Sequence, residues 1–161
     1  MQQTHCILRA ATSRDLESLN QVIEQAILAW DLPERVKRLA IPSYRYSKLD
    51  MQHMQLLVAQ DQDKRILGVM AWEKADPTET PQAQDGLLLH GIYIEPTQSR
   101  KGIGSRLLQA LEAEGRKSGV AGILVKAQAD AVGFFLTMGY TLLPMNEANR
   151  DYHNRYWKSL K

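Results

Sequence analysis

The sequence has a single cysteine, no long apolar run and little net charge, and each shortage excludes a class of protein. One thiol, Cys6, cannot build an internal disulfide framework, which fits a reducing compartment. No stretch approaches the ~18 consecutive apolar residues of a membrane-spanning helix. A formal net charge of +2 does not indicate nucleic acid as a partner. We therefore expect a cytoplasmic protein whose partners include neither a membrane nor a nucleic acid.

The sequence pattern also lacks metal ligands and a signal peptide. His5, His53 and His153 have no ligand spacing with one another or with Cys6, so no metal site is expected. The first five residues lack the charged and apolar regions of a signal peptide. The composition is ordinary for a globular protein, with 161 residues of which 44% are hydrophobic and 24% are charged. We expect residues 1–161 to form one domain.

Hydrophobic periodicity divides the chain into strands and helices. Apolar residues over 16–30 recur at helical spacing after a capping box that begins at Thr12. Pro33 and Pro42 bracket a short helix over 34–39. The predicted order is a strand, two helices, three strands, a helix, a strand, a helix and two strands.

One segment, residues 92–105, carries most of the information. An apolar strand stops at Pro96, and a polar loop containing the pair Arg100–Lys101 then enters a helix through Gly102 and Gly104. A helix N-terminus has unpaired N–H groups and a partial positive charge, so it attracts phosphate. Glycine lets the backbone approach the anion closely. The segment predicts a pyrophosphate-binding loop; the plainer alternative is an ordinary strand–loop–helix connection.

Two other phosphate-binding motifs do not match this loop. The nucleotide P-loop requires Gly-x-x-x-x-Gly-Lys-[Ser/Thr], a string that the sequence lacks. The dinucleotide fingerprint requires a third glycine three residues after the second, in the first β-α-β unit. Leu107 occupies that position, and the loop lies beyond the middle of the chain. A dinucleotide-binding domain of Rossmann type is therefore disfavoured.

The segment instead resembles the acyl-CoA-binding motif of the GNAT superfamily, the Gcn5-related N-acetyltransferases. That motif has a strand ending in a Val-x-Val-like triplet, a proline two residues later, and [Gln/Arg]-x-x-Gly-x-[Gly/Ala] at the start of a helix. Ser99 departs from the motif, because it stands where Gln or Arg is usual. The resemblance implies acetyl-CoA as co-substrate and no metal. It also implies an α/β (α+β) fold in which about four helices flank one mixed sheet of six to seven strands. The coenzyme contacts that it implies, mostly from the backbone, are Ile92, Tyr93, Ile94, Arg100, Lys101, Gly102, Ile103, Gly104 and Ser105.

A second segment, residues 128–140, resembles the downstream GNAT string Asn-x-x-Ala-x-x-[Phe]-Tyr-x-x-x-Gly-[Phe/Tyr]. Gln128 replaces the asparagine and keeps an amide for the pantetheine arm. Phe135, which the resemblance places at the coenzyme, replaces the tyrosine that in many relatives is placed to protonate the departing thiolate. A positioned acid contributes typically ~10²–10⁴-fold, so its loss weakens the interpretation as an enzyme. The substitutes left open are Tyr140, Tyr93 and Tyr152.

His90 is the candidate catalytic base. It lies two residues before Ile92 and shares that residue's face of the strand, and imidazole accepts a proton near neutral pH. In the similar arylalkylamine N-acetyltransferases, a histidine at the matching position looks toward the substrate amine. The more frequent glutamate corresponds here to Leu88, and a structural histidine inside the sheet is the alternative. Candidate walls for the acceptor, which could equally be loop packing, are Trp30, Tyr44, Tyr46, Tyr152, Asp31, Glu34 and Glu73.

Two functional interpretations of different classes stay open. The first is an acyl-CoA-dependent N-acetyltransferase that moves an acetyl group to a primary amine, on a small molecule or a peptide, by direct attack. The second is a non-catalytic acyl-CoA-binding or regulatory domain, which Phe135 and the absence of an acid from the central strand favour. A GNAT fold does not specify the acceptor, and the sequence leaves a homodimer open.

Overall fold

The computed structural model describes residues 5–144 and 154–161. Over these residues the chain forms seven strands and five α-helices, with short 3₁₀ turns between some of them. In chain order the elements are β1 (Ile7–Ala10), α1 (Leu16–Leu28), α2 (Glu34–Tyr44), α3 (Lys48–His53), β2 (Gln55–Gln60), β3 (Ile66–Lys74), β4 (Gly86–Ile94), α4 (Ile103–Ser118), β5 (Gly122–Lys126), α5 (Val132–Thr137), β6 (Thr141–Leu142) and β7 (Arg155–Ser159).

The strands form one mixed sheet in the order β1-β2-β3-β4-β5-β7-β6. β4 and β5 are parallel, and their register runs from the pair Gly86–Gly122 to the pair Leu89–Val125. A parallel pair needs a crossover connection, which α4 provides. β2 is antiparallel to β1, and β7 is antiparallel to both β5 and β6. The expected mixed α/β fold is confirmed, with seven strands and five helices in the part of the chain just defined.

Residue contacts divide the chain into two compact units. The first unit comprises Met1–Ala71 and Gly91–Leu108, and the second comprises Trp72–His90 and Gln109–Lys161. Helices α1 to α3 belong to the first unit, and strands β5 to β7 belong to the second. The prediction that residues 1–161 form one domain stays a prediction.

α1 builds the core of the first unit because its apolar residues recur at helical spacing. Leu19, Ile23 and Ile27 are fully buried on one face of the helix. They belong to the same hydrophobic cluster as Val58 on β2 and Val69 on β3. The core of this unit therefore joins α1 to the β2–β3 hairpin.

Asp15 fixes the start of α1. Its carboxylate accepts a hydrogen bond from the N–H of Thr12 at 2.7 Å, as the predicted capping box requires. The guanidinium of Arg9 donates two further bonds, each of 2.9 Å, to the same carboxylate. The bonds from Arg9 are the largest cause that lowers the pKa of Asp15 to about 2. The predicted helix start is confirmed.

α2 is longer than the sequence pattern predicts. The prediction ended this helix at Leu39, ahead of Pro42, but the helix continues through the proline to Tyr44. A proline inside a helix removes one backbone hydrogen bond. Ile41 is buried in the core of the first unit and Tyr44 packs against the same cluster. Burial of these side chains outweighs the lost bond, so the predicted boundary was wrong.

A buried lysine of α2 caps the C-terminal end of α1. Lys37 is only 6% exposed. Its ammonium donates to the carbonyl oxygens of Leu28 at 2.7 Å and Trp30 at 3.2 Å, and it lies 3.0 Å from a carboxylate oxygen of Glu34. A cation is favourable at a helix C-terminus, where the last carbonyl groups have no partner within the helix.

Trp157 on β7 organises the core of the second unit. Its indole ring lies over Gly86 on β4 and Gly122 on β5, which are partners in the parallel register. A methyl group placed on Gly86 would lie 2.9 Å from the ring, so a larger residue has no room there. Leu124 and Ala121 pack in the same cluster.

Candidate functional site

The middle of β4 is open to solvent, although β4 is the fourth of the seven strands. His90 is exposed, and Gly91 and Ile92 are half-buried, whereas the flanking Leu89 and Tyr93 are buried. Ligand-binding sites in proteins are concave. Exposure in the centre of a sheet therefore marks this part of β4 as a candidate site.

Glu95 links the turn after β4 to the β2–β3 hairpin through hydrogen bonds. Its N–H donates to the carbonyl of Leu67 at 2.9 Å, and its buried carboxylate accepts from the guanidinium of Arg65 at 3.1 Å. The hydroxyl of Thr97 donates to the same carboxylate, and Glu95 caps the short turn Pro96–Gln98. Sequence reasoning missed Glu95, although an acid directly before a proline is a recognisable helix-capping pattern.

The loop enters α4 through two residues in left-handed conformation. Arg100 has φ of +63° and Gly102 has φ of +86°. The N–H of Arg106 donates to the carbonyl of Gly102 at 3.0 Å, and this bond starts the helical pattern. The N–H groups from Ile103 to Ser105 precede it, so they have no acceptor within the helix. A row of such N–H groups at a helix start is suited to binding an anion.

Buried residues hold α4 in place behind this loop. Ile103, Leu107 and Leu108 are at most 1% exposed. Arg100 and Lys101 are exposed, so two cations flank the unpaired N–H groups. The structure therefore brings together, in the first unit, the predicted coenzyme residues of the strand–loop–helix segment: Ile92, Tyr93, Ile94, Arg100, Lys101, Gly102, Ile103, Gly104 and Ser105.

Gln128 and Phe135 belong to the second unit: Gln128 lies on the connection from β5 to α5, and Phe135 lies within α5. Gln128 is exposed and directly precedes a 3₁₀ turn. Phe135 is 2% exposed and packs edge-on against two aromatic rings, with centroid distances of 5.2 Å to Phe134 and 5.6 Å to Tyr140. These contacts are those of a core residue. The expected coenzyme contacts of Gln128 and Phe135 stay predictions.

Two of the three tyrosines considered as substitutes for the missing proton donor are buried. Tyr140 donates its hydroxyl to Glu112 at 2.9 Å, and Glu112 is also paired with Lys158 at 3.0 Å. Burial, followed by the charge of Glu112, raises the pKa of Tyr140. Burial, followed by the effect of Tyr44, raises the pKa of Tyr93. Both phenols therefore stay protonated at neutral pH. Tyr152 lies outside the described residues.

A row of aromatic rings leads from the turn after α1 to β4 within the first unit. The rings of Trp30 and Tyr44 meet edge-on at a centroid distance of 5.5 Å, and those of Tyr44 and Tyr93 meet at 6.4 Å. Tyr46, which follows α2, is 5% exposed. Asp31 and Glu34, two of the predicted acceptor acids, are exposed. The other predicted acceptor acid, Glu73, belongs to the second unit.

Across residues 5–144 and 154–161, no cluster of three histidine, cysteine, aspartate or glutamate side chains is arranged to hold a metal ion. No helix in the same ranges has the length and apolar character needed to cross a membrane. The polar groups of β4 and the following loop include backbone N–H groups and the side chains of His90, Arg100 and Lys101.

A family model and solved structures match this chain. The model described as the acetyltransferase (GNAT) domain matches residues 34–153, which is most of the chain. No curated protein matches significantly in sequence.

Three solved structures illustrate the shared fold. The PaiA N-acetyltransferase of Thermoplasma acidophilum, in complex with coenzyme A, is 17% identical, with a TM-score of 0.75 over 97% of this chain and 99% of that chain. A GNAT family acetyltransferase of Brucella melitensis, in complex with acetyl-CoA, is 16% identical, with a TM-score of 0.66 over 98% and 89%. A KacTA–DNA complex is 15% identical, with a TM-score of 0.64 over 97% and 94%. At these identities the likeness shows the fold alone. With the family model matching over residues 34–153, the chain belongs to the GNAT acetyltransferase family.

Proposed function

We propose that this protein is an acyl-CoA-dependent N-acetyltransferase that moves an acetyl group from acetyl-CoA to a primary amine of a small molecule or peptide. The observation that carries the proposal is the loop after β4. Left-handed residues at Arg100 and Gly102 lead into unpaired N–H groups at the start of α4, with two exposed cations beside them. A pyrophosphate offers adjacent anionic oxygens that suit such a row of donors. Relatives of the same fold contain coenzyme A or acetyl-CoA.

The residues of the loop fit the pyrophosphate of this co-substrate. The N–H groups of Gly102, Ile103, Gly104 and Ser105 would donate to its oxygens, and the pair Arg100–Lys101 would offset its charge. The backbone from Ile92 to Ile94 would run beside the pantetheine arm. The resemblance to the family assigns two further contacts, from Gln128 and from Phe135.

For the acyl transfer, the protein has to position acetyl-CoA and the amine and to accept one proton from the amine. Acetyl-CoA supplies an activated acyl group as a thioester. The N–H of Ile92 would donate to the carbonyl oxygen of that thioester, where negative charge develops as the amine attacks. His90 would accept the proton that the amine gives up, directly or through water. Its exposure supports exchange of that proton with solvent.

A non-catalytic acyl-CoA-binding domain is the second candidate function. The observation in its favour is that the segment 128–140 lacks the tyrosine that serves as proton donor in many relatives. Phe135 has no hydroxyl, and the hydroxyl of Tyr140 is already bound to Glu112 at 2.9 Å. Such a domain would bind the same co-substrate without turnover.

Two measurements test these proposals. Calorimetric titration with acetyl-CoA, NAD and ATP should show binding of acetyl-CoA alone, and absence of that binding would overturn both candidates. Release of free thiol from acetyl-CoA, followed over a panel of primary amines, separates the two. Turnover above the rate of the protein-free reaction supports the transferase, whereas binding without turnover over the whole panel supports the binding domain.

A further inference from the structure

A groove of about 180 Å³ lies between α1 and the turn of the β2–β3 hairpin, within the first unit. Its volume is below the roughly 300–1,000 Å³ of pockets that hold drug-sized ligands, so it suits a small metabolite and not a coenzyme. The described residues that line it do not include the loop 100–105. The groove is therefore distinct from the candidate coenzyme site, and a ligand in it goes beyond the proposed function.

Helix α1 supplies one wall of the groove. Ser18, Gln21, Val22 and Gln25 line it, and their spacing of three, four and seven residues places them on one face of the helix. The three polar residues are exposed, and each side chain can both donate and accept hydrogen bonds. Val22 is 5% exposed and Ile66, which also lines the groove, is 7% exposed. The apolar surface offered to a ligand is therefore small.

The turn of the hairpin supplies two cations. Lys64 and Arg65 line the groove and are exposed. Asp61 orders the backbone beneath them, because its carboxylate accepts from the N–H groups of Asp63 and Arg65, each at 2.9 Å. The N–H of Asp61 donates to the carbonyl of Arg65 at 2.9 Å. Since this turn is ordered before a ligand arrives, binding costs less conformational entropy.

Glu95 supplies a carboxylate that can accept a further hydrogen bond. Glu95 lines the groove and is 7% exposed. Its Oε2 accepts from the guanidinium of Arg65 at 3.1 Å and from the hydroxyl of Thr97. Within residues 5–144 and 154–161, its Oε1 accepts only the N–H of Thr97, at 3.5 Å. A carboxylate can accept about four bonds, and buried polar atoms are normally satisfied, so Oε1 is suited to a ligand donor.

The charges around the groove favour a ligand that carries both signs. A phosphate would meet the carboxylate of Glu95, and a polyamine would meet the two cations of the hairpin turn, so each would face like charge. An α-amino acid carries a carboxylate and an ammonium group on the same carbon atom. Charge-assisted hydrogen bonds are the strong ones, and this ligand can form them with both sets of side chains.

We propose that the groove binds a free α-amino acid with a short side chain. The carboxylate of the ligand accepts from Lys64 and Arg65, and its ammonium donates to Oε1 of Glu95. No covalent bond forms or breaks. Glu95 also caps the turn Pro96–Gln98, so the ligand shares this carboxylate with the segment that leads to α4.

Binding is measured without coenzyme, so the test does not depend on the proposed function. Isotope-labelled protein is titrated at neutral pH with L-alanine, with L-alaninamide, which lacks the carboxylate, and with N-acetyl-L-alanine, which lacks the ammonium. Alanine should shift the backbone amide signals of Lys64, Arg65 and Glu95 in nuclear magnetic resonance spectra. Each analogue should bind about tenfold more weakly or worse, because each loses a charge-assisted contact.

Three variants complete the test. Lys64→Met should weaken alanine binding about tenfold and leave alaninamide binding unchanged, since alaninamide has no carboxylate for this lysine. Glu95→Gln should weaken alanine binding and leave N-acetylalanine binding unchanged. Lys48→Met is the matched control, because Lys48 is also exposed but lies on α3.

The exposed position of Lys64 keeps the test valid if Glu95→Gln fails to fold. Urea unfolding shows whether each variant is folded. Alanine that shifts none of the three signals, or binds no better than both analogues, overturns the inference. Equal alanine affinity in wild type and Lys64→Met overturns it as well. Failure of the proposed function appears separately, as absence of acetyl-CoA binding in calorimetry.

Discussion

Replacing Arg100 distinguishes the effect of backbone conformation from the effect of charge in the proposed phosphate-binding loop. Arg100 has φ of +63° and an exposed side chain, so its replacement removes little packing. A residue with a Cβ destabilises the folded state by ~1–2 kcal/mol in this conformation. Glycine avoids that cost but loses ~0.5–1 kcal/mol because the unfolded chain is freer. We therefore expect Arg100→Gly to raise the free energy of unfolding by about 0.5–1 kcal/mol.

Arg100→Ala is the matched variant, because it removes the same charge and keeps the Cβ. Its free energy of unfolding should stay close to that of the wild type. Urea unfolding without ligand measures both variants, since bound coenzyme would itself stabilise the folded state. In the proposed site, each variant would lose one charge-assisted hydrogen bond to phosphate, of ~1.5 kcal/mol. Calorimetry should therefore show acetyl-CoA binding about tenfold more weakly in both.

Three outcomes would refute parts of this reasoning. Equal stability of the glycine and alanine variants would show that position 100 carries no left-handed strain. Unchanged affinity for acetyl-CoA in both variants would remove the guanidinium of Arg100 from the coenzyme site. A loss of affinity in the glycine variant alone would show that the backbone conformation of the loop, and not its charge, governs binding.

Three further perturbations test the site and the fold. His90→Ala should lower kcat for thiol release at least tenfold and leave the calorimetric affinity for acetyl-CoA unchanged, and an unaltered kcat would exclude His90 as the base. Gly104→Val puts a branched side chain in the first turn of α4, so acetyl-CoA binding should be lost while the urea midpoint moves little; normal binding would place the anion elsewhere. The pKa of Asp15, about 2, lies below its unfolded value of ~3.9, so its bond to Arg9 stabilises fully above about pH 4 and is lost as pH falls through 2. Asp15→Asn should flatten the curve of stability against pH between these values, and an unchanged curve would assign that dependence to other groups.

The loop conformation and the start of α4 were predictable because their signals are local. Glycines, basic residues and the apolar stripe of α4 all lie within a short segment, and the structure shows Gly102 in the left-handed conformation that a turn requires. The capping box at Thr12 was predictable for the same reason. The end of α2 was not, because burial of Ile41 and Tyr44 depends on the rest of the core, whereas the proline signal is local.

Contacts distant in sequence explain what the pattern missed at the candidate site. The carboxylate of Glu95 binds Arg65 on the hairpin turn, and nothing in either local segment indicates the other. The meeting of Tyr46 with Gly91 likewise joins the end of α2 to the middle of β4. His90 was correctly placed on the central strand, and its role as a base stays a prediction.

The burial of Lys37 also bears on chemical acetylation of the protein by its proposed co-substrate, acetyl-CoA. Acetyl-CoA acylates free amines, and a lysine reacts only when its amine is deprotonated and reachable. The ammonium of Lys37 is engaged by two carbonyl oxygens and a carboxylate, while Lys48 and Lys117 are exposed. Peptide mass spectrometry after incubation with acetyl-CoA should find acetyl marks on exposed lysines and none on Lys37. Acetylation of Lys37 would indicate unfolding of the α1–α2 junction. The reactivity of this lysine therefore measures whether the first unit is folded.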